Sequence, residues 1–363
     1  MQPLATSRIP SLDGLRAISI ALVILGHLCG TRGFPLQSKT VMIYSNFGVR
    51  VFFVISGYLI TRLLMIEHAR TGTVSLRDFY VRRAFRIFPA AFAYLAVIVP
   101  LNWKAISWGE LMAALTYTVN YRAQTCWALG HLWSLAVEEQ FYVVWPVALV
   151  LAWRRRTLMA ALVVAAGPLI RAGFYWAGMT QANGKYFPAV ADSLAAGALI
   201  TLLEPEFRKH LSVIRSKWFL IVPTLTVLIP LTHVSLKFYW SVGLTLMQLG
   251  IALSICHFVE RRYEFLNGRV VVWIGVLSYS LYLWQEPFLN RAETSWWTAF
   301  PQNLLLAMIA ASLSHYLVER PFLRMRDRLR GLMPARDILL WACVSKSVHK
   351  QNSRTPENPL HTH

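Results

Sequence analysis

Charge is the first thing this chain is short of. Only 15% of its 363 residues are Asp, Glu, Lys or Arg, whereas about a quarter of a soluble globular domain is charged. Long polar stretches are missing too, because apolar runs recur from residue 17 to about residue 318 with only short interruptions. Together these absences exclude a sizeable soluble domain and point to one integral membrane domain over residues 1–336. Cysteine is scarce: Cys29, Cys126, Cys256 and Cys343 are scattered without a CxxC pair, which argues against a zinc site or disulfide framework, so no metal is expected. The N-terminus carries no cleavable-signal pattern, since the first apolar run leads directly into the second. Acidic residues are half as common as basic ones, 17 against 36, for a net charge of +19. The basic residues sit in short clusters between apolar runs, a pattern that orients spans rather than one that binds nucleic acid.

What the chain has in abundance is hydrocarbon, 56% hydrophobic residues with 13% aromatic. A helix needs about 20 residues to cross a bilayer. Candidate spans fall near 14–32, 43–65, 85–103, 132–152, 157–177, 188–203, 218–234, 238–259, 270–290 and 298–318. With the N-terminus inside, this ten-span arrangement puts most of the Lys and Arg on the cytoplasmic side. Counting 107–121 as a further span would move Arg154, Arg155 and Arg156 outside, so that stretch is expected to be re-entrant or interfacial. The expected fold is therefore an all-α bundle of ten transmembrane helices with both termini cytoplasmic, placed in the inner (plasma) membrane. Residues 337–363 are expected to form a polar, disordered cytoplasmic tail. No paired broken helices of the inverted-repeat transporter type are visible.

Ionisable residues inside the apolar runs mark the candidate site. Arg16 and His27 are eleven positions apart, about 20° past three helical turns, so they share a face with an axial offset of roughly 16 Å. A charge at the bilayer centre costs about 3 kcal/mol on insertion scales, so such groups usually face a protein cavity. A positive-inside anchor explains Arg16 equally well, and a carbonyl-bonded core histidine is the bland reading of His27. In FYVRRAFRIFP, residues 79–89, Arg82, Arg83 and Arg86 enter the third span, with Arg83 and Arg86 on one face. Guanidinium forks of this kind bind phosphates bidentately, although orientation alone would also use them. In HLWSLAVEEQFYVVWP, residues 131–146, Glu138 and Glu139 sit in a span where topology has no use for carboxylates. By depth they can meet His27 and hold its tautomer, as the partner of a general base does. Arg171 and Asp192 flank neighbouring spans and can pair. Ser278, Tyr279, Gln285, Glu286 and Glu319 read as packing and ion-pairing groups.

Taken in order, these motifs resemble the acyltransferase-3 family of polytopic membrane acyltransferases. SLDGLRAISIALVILGH resembles its first span, with Arg16 and His27 at the matching separation, and FFVISGYLI its second. RRAFRIFP matches the RxxR element through Arg83 and Arg86; LWSLAVEEQFYVVWP, SYSLYLWQEP and LVERPF resemble its later elements. The similarity runs from about residue 10 to 325. The resemblance implies transfer of an acyl group, often acetyl from acetyl-CoA, to a sugar hydroxyl of a cell-surface polysaccharide, lipopolysaccharide or other glycoside, with His27 catalytic. The expected partners are the lipid bilayer, acyl-CoA and a carbohydrate or glycolipid acceptor. Many members have His where this chain has Gln285, so no proton-transfer role falls there. Many also carry a hydrolase-like domain after the core, and no such domain is expected in these 363 residues. The residue reading agrees: Arg16, Arg82, Arg83 and Arg86 would hold the donor's phosphates, and His27 would act beside Glu138 or Glu139. The competing reading is a transporter or flippase of a lipid-linked glycan, which explains the spans but not a phosphate-binding cluster beside a membrane histidine.

Overall fold

The computed structural model describes residues 9–180, 182–231 and 238–331, and every regular element among them is helical. The expected tail at 337–363 lies outside the described residues. The first three helices are α1 (Pro10–Leu28), α2 (Lys39–Thr71) and α3 (Leu76–Leu101). Leaving aside helices of fewer than eight residues, the next four are α4 (Trp108–Leu115), α5 (Leu132–Leu151), α6 (Arg156–Trp176) and α7 (Phe187–Leu202). Then come α8 (Ile221–Leu228), α9 (Leu244–Arg261) and α10 (Arg269–Trp284). Finally α11 (Gln302–Ser314) runs through a π turn at His315–Glu319 into α12 (Arg320–Gly331).

Local chemistry explains several boundaries. Proline opens the first turn of α1, where its missing N–H costs nothing, and Asp13 there complements the helix dipole. The Ser75 hydroxyl caps α3 by accepting from the Asp78 amide at 3.2 Å. Gly72 ends α2 in the left-handed region at φ 74°, which a side chain would disfavour.

Among the described residues six helical stretches are long and apolar enough to cross a bilayer: α1, α2, α3, and the stretches Trp127–Leu151, Trp153–Trp176 and Tyr239–Arg261. Phe187–Leu202, Lys217–Leu231 and Arg269–Trp284 are shorter apolar helices. The chain is thus a multi-pass helical membrane protein. Among the described residues each of the ten expected spans overlaps helix in part, and six meet the length and hydropathy of a full crossing. The stretch 107–121 is a helix of 8 residues followed by a short 3₁₀ turn, about 12 Å long at 1.5 Å per residue and too short to span.

Helix α1 lies between α2 and α10, and α7 packs against both α2 and α6. Between apolar helices in lipid, close backbone approach and dispersion hold the bundle. Gly275 lets α10 close on α1: a Cβ there would run into the Asp13 backbone carbonyl. Gly197 does the same for α7, whose neighbour is the Val54 carbonyl of α2. The expected Arg171–Asp192 pair forms at 2.9 Å with both side chains fully buried. Arg171 also donates to the carbonyls of Ala189 and Ser241, and Thr245 bonds Asp192 at 2.7 Å. Every end of that network is satisfied, so it staples α6, α7 and α9 together as a structural device. Glu319 likewise joins Ser280 on α10 to His315, which lies 3.2 Å away.

Candidate active site

His27 stands one residue before the end of α1, and its carboxylate partner comes from the far end of the chain. The tight turn after α10, Gln285-Glu286-Pro287, stops the helix because Pro287 cannot continue it. It also brings Glu286 Oε1 to 3.3 Å from His27 Nδ1. Glu286 is 4% exposed. The indole of Trp127 donates to the Glu286 carbonyl at 2.8 Å, and its ring meets His27 edge-on with centroids 6.3 Å apart. Arg291 donates to the carbonyls of Gly26 at 2.7 Å and His27 at 3.4 Å. It thereby satisfies the open C-terminus of α1 with a cation, where the helix dipole favours one.

Trp127 is itself held by the connection after α3. Ser107 and Glu110 form a reciprocal capping box at the start of α4. The second Glu110 oxygen accepts the Cys126 amide at 2.5 Å, one residue before Trp127. Burial pushes the Glu110 carboxyl up, but the Ser107 and Cys126 hydrogen bonds outweigh it and hold the group below its usual range.

A cavity of about 60 Å³ opens between α1, α2, α5 and α10, with Arg16, Ser56, Glu138, Ser134 and Tyr282 on its wall. Glu138 accepts from the Ser56 hydroxyl at 2.7 Å and the Tyr142 hydroxyl at 3.1 Å. The Tyr282 hydroxyl accepts from Ser134 at 2.5 Å and donates to the His131 carbonyl at 2.9 Å. His131, 5% exposed, lies within electrostatic reach of His27. Arg16 and Tyr282 thus line one cavity, and the Tyr282–His131 bond links its wall to the residues around His27.

The arginines divide by the partners they meet. Arg86 lies within electrostatic reach of Arg16, Arg83 and Glu319. Arg83 stacks over the Tyr142 ring at 3.7 Å, and the Nε atoms of Arg16 and Arg83 have no protein partner among the described residues. Arg82 turns elsewhere and pairs with Glu67 at 2.7 Å. At 100° per residue Arg82 stands about 40° from Arg86, on the side away from Arg83, so the helix alone does not separate it from them; its ion pair with Glu67 does.

Of the expected site residues, then, Arg16, Arg83 and Arg86 converge, and Arg82 is committed to an ion pair. Glu138 faces the cavity rather than His27. Glu139, 8% exposed, lies within electrostatic reach of Arg83 and leaves Oε1 without a protein partner among the described residues. Among the described residues the carboxylate set beside His27 Nδ1 is that of Glu286, at 3.3 Å and outside hydrogen-bond geometry, and not that of the expected Glu138 or Glu139. Matching depth in the membrane is necessary for contact but leaves lateral position open, and α10 is the helix packed beside α1. The sign of Glu286 in the sequence was its place in a turn-forming Gln-Glu-Pro at the end of an apolar helix.

Comparison with known proteins decides the family. The model of the family's acyltransferase domain matches residues 9–318. The chain belongs to the acyltransferase-3 family. Its curated relatives include a Staphylococcus aureus protein provisionally named an O-acetyltransferase, 30% identical over 86% of this chain and 57% of the relative. A Bacillus subtilis protein provisionally named a peptidoglycan O-acetyltransferase is 28% identical over 86% of this chain and 54% of its own length. The peptidoglycan O-acetyltransferase OatA of Listeria monocytogenes is also 28% identical, over 86% of this chain and 55% of its own length. The chain thus spans little more than half the length of these relatives. No solved structure matches it.

Proposed function

We propose that this family member is a membrane O-acyltransferase that moves an acetyl or similar acyl group from cytoplasmic acyl-CoA to a sugar hydroxyl outside. The observation that carries this reading is the His27–Glu286 contact at 3.3 Å on α1, about three turns from the cluster of Arg16, Arg83 and Arg86. In this reading ten helices cross the inner membrane, the short ones included, and both termini are cytoplasmic. Phosphates of the donor bind Arg16, Arg83 and Arg86, whose forked N–H groups suit them. The acyl-pantetheine arm follows the polar cavity past Ser56 and Tyr282 toward His27.

Glu286 holds the His27 Nδ1–H and so leaves Nε2 as the base. Nε2 takes the proton of the acceptor hydroxyl as its oxygen bonds to the thioester carbon. The carbonyl electron pair moves onto oxygen, then reforms the double bond as the C–S bond breaks, and the thiolate regains the proton from His27. The products are an O-acyl sugar and free coenzyme A. A peptidoglycan sugar is the favoured acceptor, because two of the relatives are named for that substrate. Transport of a lipid-linked glycan requires no histidine–carboxylate pair and is not what the relatives are named for.

The test is to incubate the detergent-purified protein with labelled acetyl-CoA and soluble peptidoglycan fragments and to follow the fragments by mass spectrometry. A gain of one acetyl mass supports the proposal. A protein that binds the glycan yet never modifies it, with any acyl-CoA, would be a transporter instead.

A further inference from the structure

The chain saturates most of its buried side-chain amides. Gln140 donates to the Tyr117 carbonyl at 2.7 Å and to Asn120 at 2.9 Å, and accepts from Tyr121 at 3.2 Å. With its amide oriented to match its neighbours, Gln248 donates to Asp192 and accepts from Ser193. Gln285 breaks this habit. Its side chain is fully buried, yet among the described residues its amide completes no hydrogen bond and its nearest polar neighbour is the His27 ring. His131 is another such group: it is 5% exposed, and among the described residues neither ring nitrogen completes a hydrogen bond, the Leu283 backbone being its nearest partner. A buried donor left without a partner is costly and needs a reason.

The two exceptions share one location. Gln285 adjoins His27, and His131 lies within electrostatic reach of the same ring. Both are held from behind. The Gln285 amide N–H donates to Leu281 at 3.1 Å, and its carbonyl accepts from Leu289 at 3.0 Å. The His131 carbonyl accepts from Tyr282, and its ring stands edge-on to Tyr94 at 5.5 Å. The backbones are fixed while the polar ends keep hydrogen-bonding capacity unspent beside the His27 ring, which is the form of a preorganised binding group.

The chemistry around His27 requires such groups. When the acceptor oxygen bonds to the thioester carbon, negative charge collects on the former carbonyl oxygen, and donors waiting there lower the barrier. Gln285 always presents two N–H bonds, and a neutral imidazole presents one whichever tautomer it adopts. An amide cannot act as an acid or base near neutral pH, so Gln285 is suited to donation alone. We propose that the Gln285 amide and the His131 imidazole are the oxyanion-binding pair of the transfer reaction, a role that rests on the acyltransferase reading above.

Four detergent-purified proteins test this: unsubstituted, Gln285→Met, His131→Phe and Gln285→His. Each is measured for the kcat of acetyl transfer and for the KM of acetyl-CoA and of a peptidoglycan fragment, with thermal unfolding followed in parallel. Gln285→Met keeps the length and loses the donor, so kcat should fall by about 10²-fold with both KM values little changed. His131→Phe should do the same, and Gln285→His, which restores an N–H, should recover most of the rate. Equal kcat in Gln285→Met and the unsubstituted protein would overturn the oxyanion assignment and leave the acyltransferase reading intact. A rise in acceptor KM at constant kcat would also overturn it, by making Gln285 an acceptor-binding group. Should Gln285→Met fail to fold, Gln285→His still decides, because loss of its rate in a folded protein contradicts the role. Absence of transfer by the unsubstituted protein would remove both proposals together.

Discussion

At the scale of single residues the account turns on which carboxylate serves His27. Glu286 lies 3.3 Å from Nδ1, whereas Glu138 is engaged with Ser56 and Tyr142. Glu286→Gln should therefore lower kcat by about 10²-fold or more, because the amide no longer fixes the base in its working tautomer. Glu138→Gln should leave the pH dependence of kcat in place. Arginine variants separate in the same way. Arg83→Ala and Arg86→Ala should each raise the KM for acyl-CoA by about tenfold, the scale of one charged hydrogen bond. Arg82→Ala, which removes a partner of Glu67, should leave that KM unchanged. Part of this was legible in the sequence: the shared face of Arg16 and His27 follows from helix arithmetic, whereas the same arithmetic sets both Arg82 and Arg83 near Arg86 and gives no sign of the Arg82–Glu67 pair. The partner of His27 was not legible, because 259 positions separate it from Glu286 and only packing between α1 and α10 unites them.

At the scale of elements, the site depends on how closely α10 lies on α1. Gly275 has the Asp13 backbone where a side chain would go, so Gly275→Leu must part the two helices and carry Glu286 away from His27. Transfer should be abolished, with a lowered unfolding temperature in detergent, whereas Gly173→Leu should cost little, since nothing lies within 4 Å of a Cβ there. The connection from Ser107 to Trp127 is the other support, because its capping box and Cys126 contact set the indole over the pair. The short α4 was readable from charge balance alone, but its role in seating Trp127 appears only when the loop is folded against Glu286.

At the scale of the whole molecule, the order of helices was legible because apolar runs report lipid contact directly. Less legible were the true lengths. Helix α2 has 33 residues and α7 has 16, since buried polar residues such as Arg50 and Asp192 are paid for by partners that no hydropathy window registers. The proposed orientation can be checked by introducing single cysteines into a variant lacking the native four. A thiol at Thr73 should react with an impermeant reagent only from the cytoplasmic side, and one at Gln124 only from the outside; the reverse would invert the topology.

The central claim is that His27 carries the transfer. Its most direct test is acyl transfer by purified His27→Ala from radiolabelled acyl-CoA to a glycan acceptor, compared with the unsubstituted protein at equal folded concentration. The account predicts loss of label transfer with acyl-CoA binding retained, because Arg16, Arg83 and Arg86 are untouched. Undiminished transfer would contradict it.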